Sequence, residues 1–480
     1  MSLSSSQLLP NVDDLQIQFD KCVVFNSKFA GKAEEEDYLK LLGCCPSQLS
    51  LNDKMISVGV VEALSGFATT FGSDVVCDSL FSDNSKYVFI EVEPGYWMAL
   101  FVKCNSNRPS TPSPNSPLNS GSTEPIQDFS GYSDDNLPYS ILKSKLQDAY
   151  QTFKIFHGEM DHIVKSEGVQ SLRVKLDLFL ESYWKNFVFN NWNIMDILGG
   201  IQFLPVPTND FLAIQSFIHQ TISKFSSFNK SKSQKQNDSE PTSLSVIRGC
   251  LFIFDTYLVF NGIAKEDSRT VAQYLPYIVE ERLKYLPQNV LLNSANGFFV
   301  TGPEDIQSPT TRFSAPRVYI GEPRSESSVI IYKLNRLQLV LFVDPTVASQ
   351  LSFYTSLRDF IYPELQTIYK DLCDNIYKGD GNVMKYIFFN GSSFALKTSL
   401  NFQNTSMLLK ESLQELCHLR SYAKFNDSKE IIVRNKKESW IAFKIIGGKE
   451  FFFIFDQKNA TLSDVQQQME KASVLFNSSK

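Results

Sequence analysis

Four histidines, eight cysteines and 52 carboxylates are the side chains from which this 480-residue chain would have to build a reactive centre. Their spacing builds none. His157 and His162 stand five apart on a predicted helix, off the i, i+4 spacing that turns two imidazoles toward one zinc ion. The cysteines include no C-x-x-C pair, and the adjacent Cys44-Cys45 is too close for a usual bridge, so they read as reduced, mostly buried residues of a cytosolic protein. Glu34-Glu35-Glu36 and Asp134-Asp135 lack the apolar neighbours that raise a carboxyl pKa toward acid catalysis. There is no Walker loop, nucleophile elbow, dinucleotide fingerprint, kinase motif set or EF-hand, and Gly199-Gly200 lacks the lysine and hydroxyl residue that would make it a phosphate loop. A hydrolase would have to assemble from residues that no motif brings together. The chain reads as a protein without metal, cofactor or bond-making chemistry, one that works through its surface.

Charge narrows the partners. With 46 basic and 52 acidic residues the net charge is −6, so no positive field steers nucleic acid toward it. A hydrophobic content of 43% supplies large cores, and the length suggests about three domains. The first 14 residues have neither the basic nor the apolar region of a signal peptide and read as a flexible N-terminus. The longest apolar runs fall short of the ~20 residues that a membrane-crossing helix needs.

The positioning elements follow from periodicity. Strands are predicted at Ile17 to Asn26 and Tyr38 to Cys45, and then a helix from Lys54 capped by Asn52 or Asp53. Two β-rich runs flank the turn Glu93-Pro94-Gly95. The Ser/Pro-rich residues 105–136 read as a disordered insertion, in which Thr111, Ser113 and Ser116 each precede proline and would suit proline-directed kinases. Residues 226–245 form a polar linker with Lys224, Lys230, Lys232 and Lys235 in and beside it, more simply solvated than lipid-bound. Beyond it, strands apolar on both faces imply sheets covered on both sides. A long stripe from Leu351 to Ile376 is expected to kink or restart at Pro363. The order of strands, helix, strand hairpin and helix recurs over 15–225, 246–378 and 385–477, a topological repeat without sequence identity between copies. Trp192 to Phe217, with Asp196, Gly199, Gly200, Pro205 and a capping signal at Asn209-Asp210, reads as an elbow closing the first unit.

Several of these stretches carry a resemblance. N-D-K-M-I-S-V-G-V-V-E-A-L-S-G-F-A-T-T-F from Asn52, E-P-G-Y-W-M-A-L-F-V from Glu93, D-I-L-G-G-I-Q-F-L-P from Asp196, F-F-V-T-G-P from Phe298, E-I-I-V from Glu430 and D-Q-K-N-A-T-L from Asp456 occur in the order found in the vacuolar fusion protein Ccz-one family, which the chain resembles over nearly its whole length. The resemblance implies an α/β fold of three longin-type domains, each a mixed, mainly antiparallel sheet with helices on both faces. It further implies an obligate partner, a Mon-one-type tri-longin protein, with which the family activates the late-endosomal Rab seven GTPase by promoting GDP release. It implies a cytoplasmic protein recruited peripherally to late endosomal, lysosomal or vacuolar membranes, and leaves room for a third regulatory subunit. The Rab or partner surface is expected on the first domain, at Pro46 and Ser47 and at the polar helix positions Lys54, Ser57 and Glu62. The alternative is a longin-domain tether or adaptor that does not promote exchange.

Overall fold

The computed structural model describes residues 15–29, 38–70, 77–82, 85–106, 136–185, 194–204, 206–226, 228, 245–286, 296–306, 312–376, 385–400, 407–435, 438–455 and 459–478. Residues 1–14, nearly all of the Ser/Pro insertion, nearly all of the polar linker, and Pro205 lie outside them.

The first sheet is wholly antiparallel. Strands β1 (Leu15–Asn26) and β2 (Leu41–Cys45) pair, helix α1 (Leu51–Thr69) crosses one face, and β3 (Ser79–Phe81), β4 (Ser85–Glu93) and β5 (Tyr96–Ser106) return as a meander, in the order β2-β1-β5-β4-β3. Pro94-Gly95 makes the tight turn of the last hairpin, with Gly95 at φ +91°, a conformation glycine reaches without steric cost. Alternate residues of β1 face opposite ways: Val23 and Phe25 pack under Val58 and Val61 of α1, while Cys22 and Val24 face α2 (Asn136–His157), α3 (Met160–Glu167) and α4 (Val169–Lys185).

The same circuit is drawn twice more. In the second domain, β7 (Ile247–Phe254) and β8 (Tyr257–Asn261) pair, α7 (Lys265–Leu283) crosses, and β12 (Arg317–Ile320), β13 (Ser325–Leu334) and β14 (Leu337–Val343) return, giving β8-β7-β14-β13-β12. Three two-residue strands, β9 (Phe298–Phe299), β10 (Gly302–Pro303) and β11 (Phe313–Ser314), decorate the connection. In the third, β15 (Lys385–Asn390), β16 (Ala395–Thr398), α9 (Met407–Phe425), β17 (Glu430–Arg434), β18 (Trp440–Ile446) and β19 (Lys449–Phe455) give β16-β15-β19-β18-β17, followed by α10 (Leu462–Ser478). The identical strand permutation realises the threefold order expected from periodicity. Helix α8 (Leu351–Ile376) runs through Pro363, so no second helix starts there; Ile361, Leu365 and Leu372 stay buried along one stripe and hold it to the sheet.

The elbow differs from expectation. Its described residues do not close the first domain. Ile194 and Leu198 of α5 (Ile194–Leu198) are buried in the core of the third domain, and Ile214, Phe217, Ile218 and Phe225 of α6 (Thr208–Phe225) in that of the second. Between them β6 (Ile201–Gln202) runs parallel to β16, and Phe203 bridges Leu258 of β8. Three backbone hydrogen bonds fix it: Ile201 N–H to Phe394 O, 2.8 Å, Phe203 N–H to Leu396 O, 3.0 Å, and Leu204 N–H to Leu258 O, 3.0 Å. A strand a few residues long thus joins the edges of the second and third sheets and closes both. Sequence pattern could not assign it, because an edge strand is placed by which free edge it meets.

Helix α2 ties in the first domain. Leu142, Leu146, Ala149 and Phe153 lie in the first core, Ile155 in the second and Ile141 in the third. Beside it Arg269 of α7 donates to Asp148 of α2 at 2.5 Å and lies over the Phe394 ring of the third domain. A Cβ on Gly199, at φ +55°, would stand 2.3 Å from that guanidinium, and one on Gly200 2.7 Å from Leu396 Cβ.

Two outcomes are expected. Gly200→Val forces apart two backbone-anchored carbons and should destabilise the chain by about 1–3 kcal/mol, read as a lower urea midpoint. In the third domain, burial opposes ionisation of Glu450, but Arg420 (2.6 and 3.1 Å) and Lys424 (3.1 Å) outweigh it and hold its carboxyl below the usual range. A depressed folded pKa gives stability that is present above the unfolded value of ~4.3 and lost as pH falls through the folded one. The urea midpoint of the native chain should therefore fall more steeply below pH 4.3 than that of Glu450→Gln, whose loss is already taken at neutral pH.

Candidate functional site

Pro46, Ser47, Lys54 and Ser57 lie at the N-terminal end of α1, where β2 turns into the helix, and Glu62 lies past the helix midpoint, against Lys40 just before β2. Ser50 is the N-cap, its hydroxyl accepting from Asp53 N–H at 3.1 Å, so the cap lies two or three residues earlier than expected. Pro46 follows a cis peptide bond. Ser47 donates its amide (3.1 Å) and hydroxyl (2.6 Å) to Glu181 of α4, and these bonds hold the Glu181 carboxyl below its usual range. Lys54 donates to Ser47 O at 2.7 Å. Glu62 pairs with Lys40 at 3.2 Å. Ser57 is 2% exposed and donates back to Asp53 O, which corrects its expected place on the surface. Lys54 with Ser47 O is the contact within the group; the other partners are Glu181, Asp53 and Lys40, and Ser47 stays exposed. Their arrangement fastens the β2–α1 loop to α4 and has no nucleophile beside a base.

Of the elbow residues, Gly199 and Gly200 sit where α7, β16 and α5 meet, Asp196 falls on α5, and Pro205 lies outside the described residues. Their role is close backbone packing.

What α1 presents outward is apolar. Leu51, Ile56 and Phe67 are 55%, 56% and 63% exposed, and Leu80 on β3, the opposite edge of the sheet from β2, is 39% exposed. Exposed Gly59, Ala63 and Gly66 lie between them at helical spacing, and a Cβ on either glycine would find nothing within 4 Å. Such a face lets another backbone come close while two large side chains grip it. The signal was in the sequence: α1 carries more apolar residues than one buried stripe holds, and the excess marks a second contact face.

Two clefts accompany this face. One of about 990 Å³ lies between the second and third domains, lined by Gly200, Gln202, Arg269, Lys333, Arg336 and Thr398 among others. The other, about 560 Å³, opens where all three domains meet. Among the described residues no group of His, Cys, Asp or Glu is placed to hold a metal ion, and no helix is long and apolar enough to cross a membrane.

Comparison with known proteins places the fold. Residues 20–158 match the first longin domain of INTU, CCZ1 and HPS4, residues 247–368 the Intu longin-like domain 2, and residues 380–472 the Intu longin-like domain 3. Relatives named "Vacuolar fusion protein CCZ1 homolog" align almost end to end. That of Nematostella vectensis is 26% identical over 94% of this chain and 95% of its own length, that of Xenopus tropicalis 25% over 93% of each, and that of Dictyostelium discoideum 23% over 95% and 96%. The chain belongs to the CCZ1 family of tri-longin proteins. The expected fold, three longin domains with mainly antiparallel sheets, is that of this CCZ1-family chain.

For this CCZ1-family chain, the junction around Arg269 is open to a direct check. Removing one partner of a largely buried pair strands the other charge, so Arg269→Met should cost roughly 3 kcal/mol, near the low end for such pairs because neither side chain is wholly buried. Asp148→Asn together with Arg269→Met should cost less than the sum of the two single changes, a coupling read in a double-mutant cycle of urea midpoints.

Proposed function

We propose that this chain acts in vacuolar and endosomal trafficking as one subunit of a heterodimeric guanine nucleotide exchange factor, with a second tri-longin protein of the Mon-one type as its partner and the late-endosomal Rab seven GTPase as its substrate. The observation that carries the reading is the outward face of α1. Apolar and glycine-lined, it has the composition of a protein interface on the domain that the family resemblance assigns to Rab contact. The relatives are named as vacuolar fusion proteins, which supports the trafficking role. A surface suffices for exchange: a factor that binds the nucleotide-free GTPase more tightly than the loaded one weakens nucleotide binding by the same factor, and no bond is broken. In this reading Pro46, Ser47, Lys54 and Glu62 shape the rim of the face, and Ser57 supports it from beneath. The protein is held at the membrane peripherally, through its partners.

The test is release of labelled GDP from Rab seven on liposomes, with the two tri-longin chains together and each alone. Acceleration by the pair only is expected. Tight pair formation without acceleration or preference for the nucleotide-free GTPase would leave the tether reading in its place. Within the pair, Ile56→Glu should weaken association by at least about tenfold while leaving the isolated chain's unfolding midpoint within about 0.5 kcal/mol, since Ile56 is mostly exposed. Gly59→Ala should do the opposite to the isolated chain, raising its stability by up to about 1 kcal/mol through helix propensity.

A further inference from the structure

The third sheet is closed by β6 beside β16, and at its other side β17 is the outermost strand. Its register with β18 runs from Glu430 opposite Lys444 to Arg434 opposite Trp440 without a bulge. The bonds just beyond each end, Ile445 N–H to Lys429 O at 2.8 Å and Asn435 N–H to Ser439 O at 2.9 Å, fix the alternation. In an antiparallel ladder every second residue bonds the neighbouring strand, so Ile431 and Val433 follow Lys429 and Asn435 in turning their amides and carbonyls to β18. Glu430, Ile432 and Arg434 turn theirs outward. Among the described residues no further backbone bond is made to Ile432.

Natural sheets blunt a free edge with proline, a bulge or an inward-pointing charge. Strand β17 has none of these: Glu-Ile-Ile-Val-Arg places three half-buried β-branched residues in the middle and exposes the charged ends. The order of those residues decides what fits. Glu430, Ile432 and Arg434 share one face, where Ile432 packs beside Ala442 and Trp440, and Ile431 and Val433 share the other, beside Ile441 and Phe443. A strand added antiparallel must therefore offer a cation opposite Glu430, an anion opposite Arg434 and apolar residues between them. The same five residues read backwards meet every one of these demands. Glu430, already held by Lys444 at 2.7 Å, would then lie between two cations, and Arg434, 5.6 Å over the Trp440 ring, between an aromatic face and a carboxylate.

We propose that a second copy of this chain docks on the β17 edge, the two strands pairing antiparallel about a twofold axis at Ile432, so that Glu430 of each copy meets Arg434 of the other and the two third sheets run into one. A twofold interface uses the same patch on both copies, and a strand whose charges are opposite at equal distances from its centre is complementary to itself. The α1 face belongs to the first domain and β17 to the third, so the pairing goes beyond the exchange-factor reading and does not depend on it.

So short an edge makes a small, concentration-dependent contact, and sedimentation of the full chain should show the mass rising from one copy toward two between about 1 and 100 μM. By symmetry each substitution acts twice. Glu430→Arg sets arginine against arginine and Arg434→Glu sets glutamate against glutamate, and either alone should weaken self-association at least about tenfold. Both residues are exposed, so the unfolding midpoints should stay near the native one. An equimolar mixture of the two variants restores opposite charges at both ends and should recover the paired mass. Hydrogen exchange at the Ile432 amide should slow with concentration in the native chain and in the mixture, and in neither variant alone. A native chain that keeps the mass of one copy at about 100 μM, a single variant that associates as the native chain does, or a mixture no better than its components would each overturn the proposal. So would protection of the Ile432 amide only on adding the second tri-longin protein, which would give the edge to that partner.

Discussion

The arrangement of the three longin units hangs on one helix and one ion pair. Helix α2 gives side chains to all three cores, and beside it the Arg269 guanidinium joins Asp148 of the first domain to the Phe394 ring of the third while belonging to the second. A largely buried charge must be paired, and this one is paired only when the domains are docked. Gly199 and Gly200 follow from it. The guanidinium and Leu396 occupy the space where their Cβ atoms would be, so the smallest residue is required twice in succession.

Sequence pattern reached the elements and missed some of the joins. The threefold order of strands and helices was legible because every sheet buries both faces: Leu251, Ile253, Val340 and Phe342 face one way, Phe252, Phe254, Leu339 and Leu341 the other, and such runs announce themselves. The elbow was legible as a join with close packing, through its glycines. Its membership was not, because the edges that Ile201 and Phe203 meet belong to strands 55 and 194 residues downstream, at Leu258 and Ala395, and no local period encodes that pairing. The one helix expected to carry His157 and His162 is two, α2 ending at His157 and α3 starting at Met160, because Gly158, at φ +90°, breaks it.

Of the polar positions expected on the surface of α1, Ser57 is buried and Lys54 and Glu62 are half-buried. Polar residues on α1 drew the eye because exposed polar groups bind partners, yet Ser47, Lys54, Ser57 and Glu62 spend their hydrogen bonds on neighbouring loops and helices. A short loop between strand and helix leaves unsatisfied backbone groups, and nearby polar side chains are the cheapest means of satisfying them. The same helix carries apolar residues on two faces. The buried stripe, Val58, Val61 and Ala68, is narrow, and the remainder, Ile56 and Phe67, had nowhere inside to go.

Rigidity and surface are connected. Under the exchange-factor proposal the chain would deliver only the difference between its affinities for two conformations of its partner, and a compliant scaffold would relax toward whichever conformation it meets and lose the difference. Sheets closed at their edges by the elbow strand, a helix shared among three cores and a charge paired across domains all act against such relaxation.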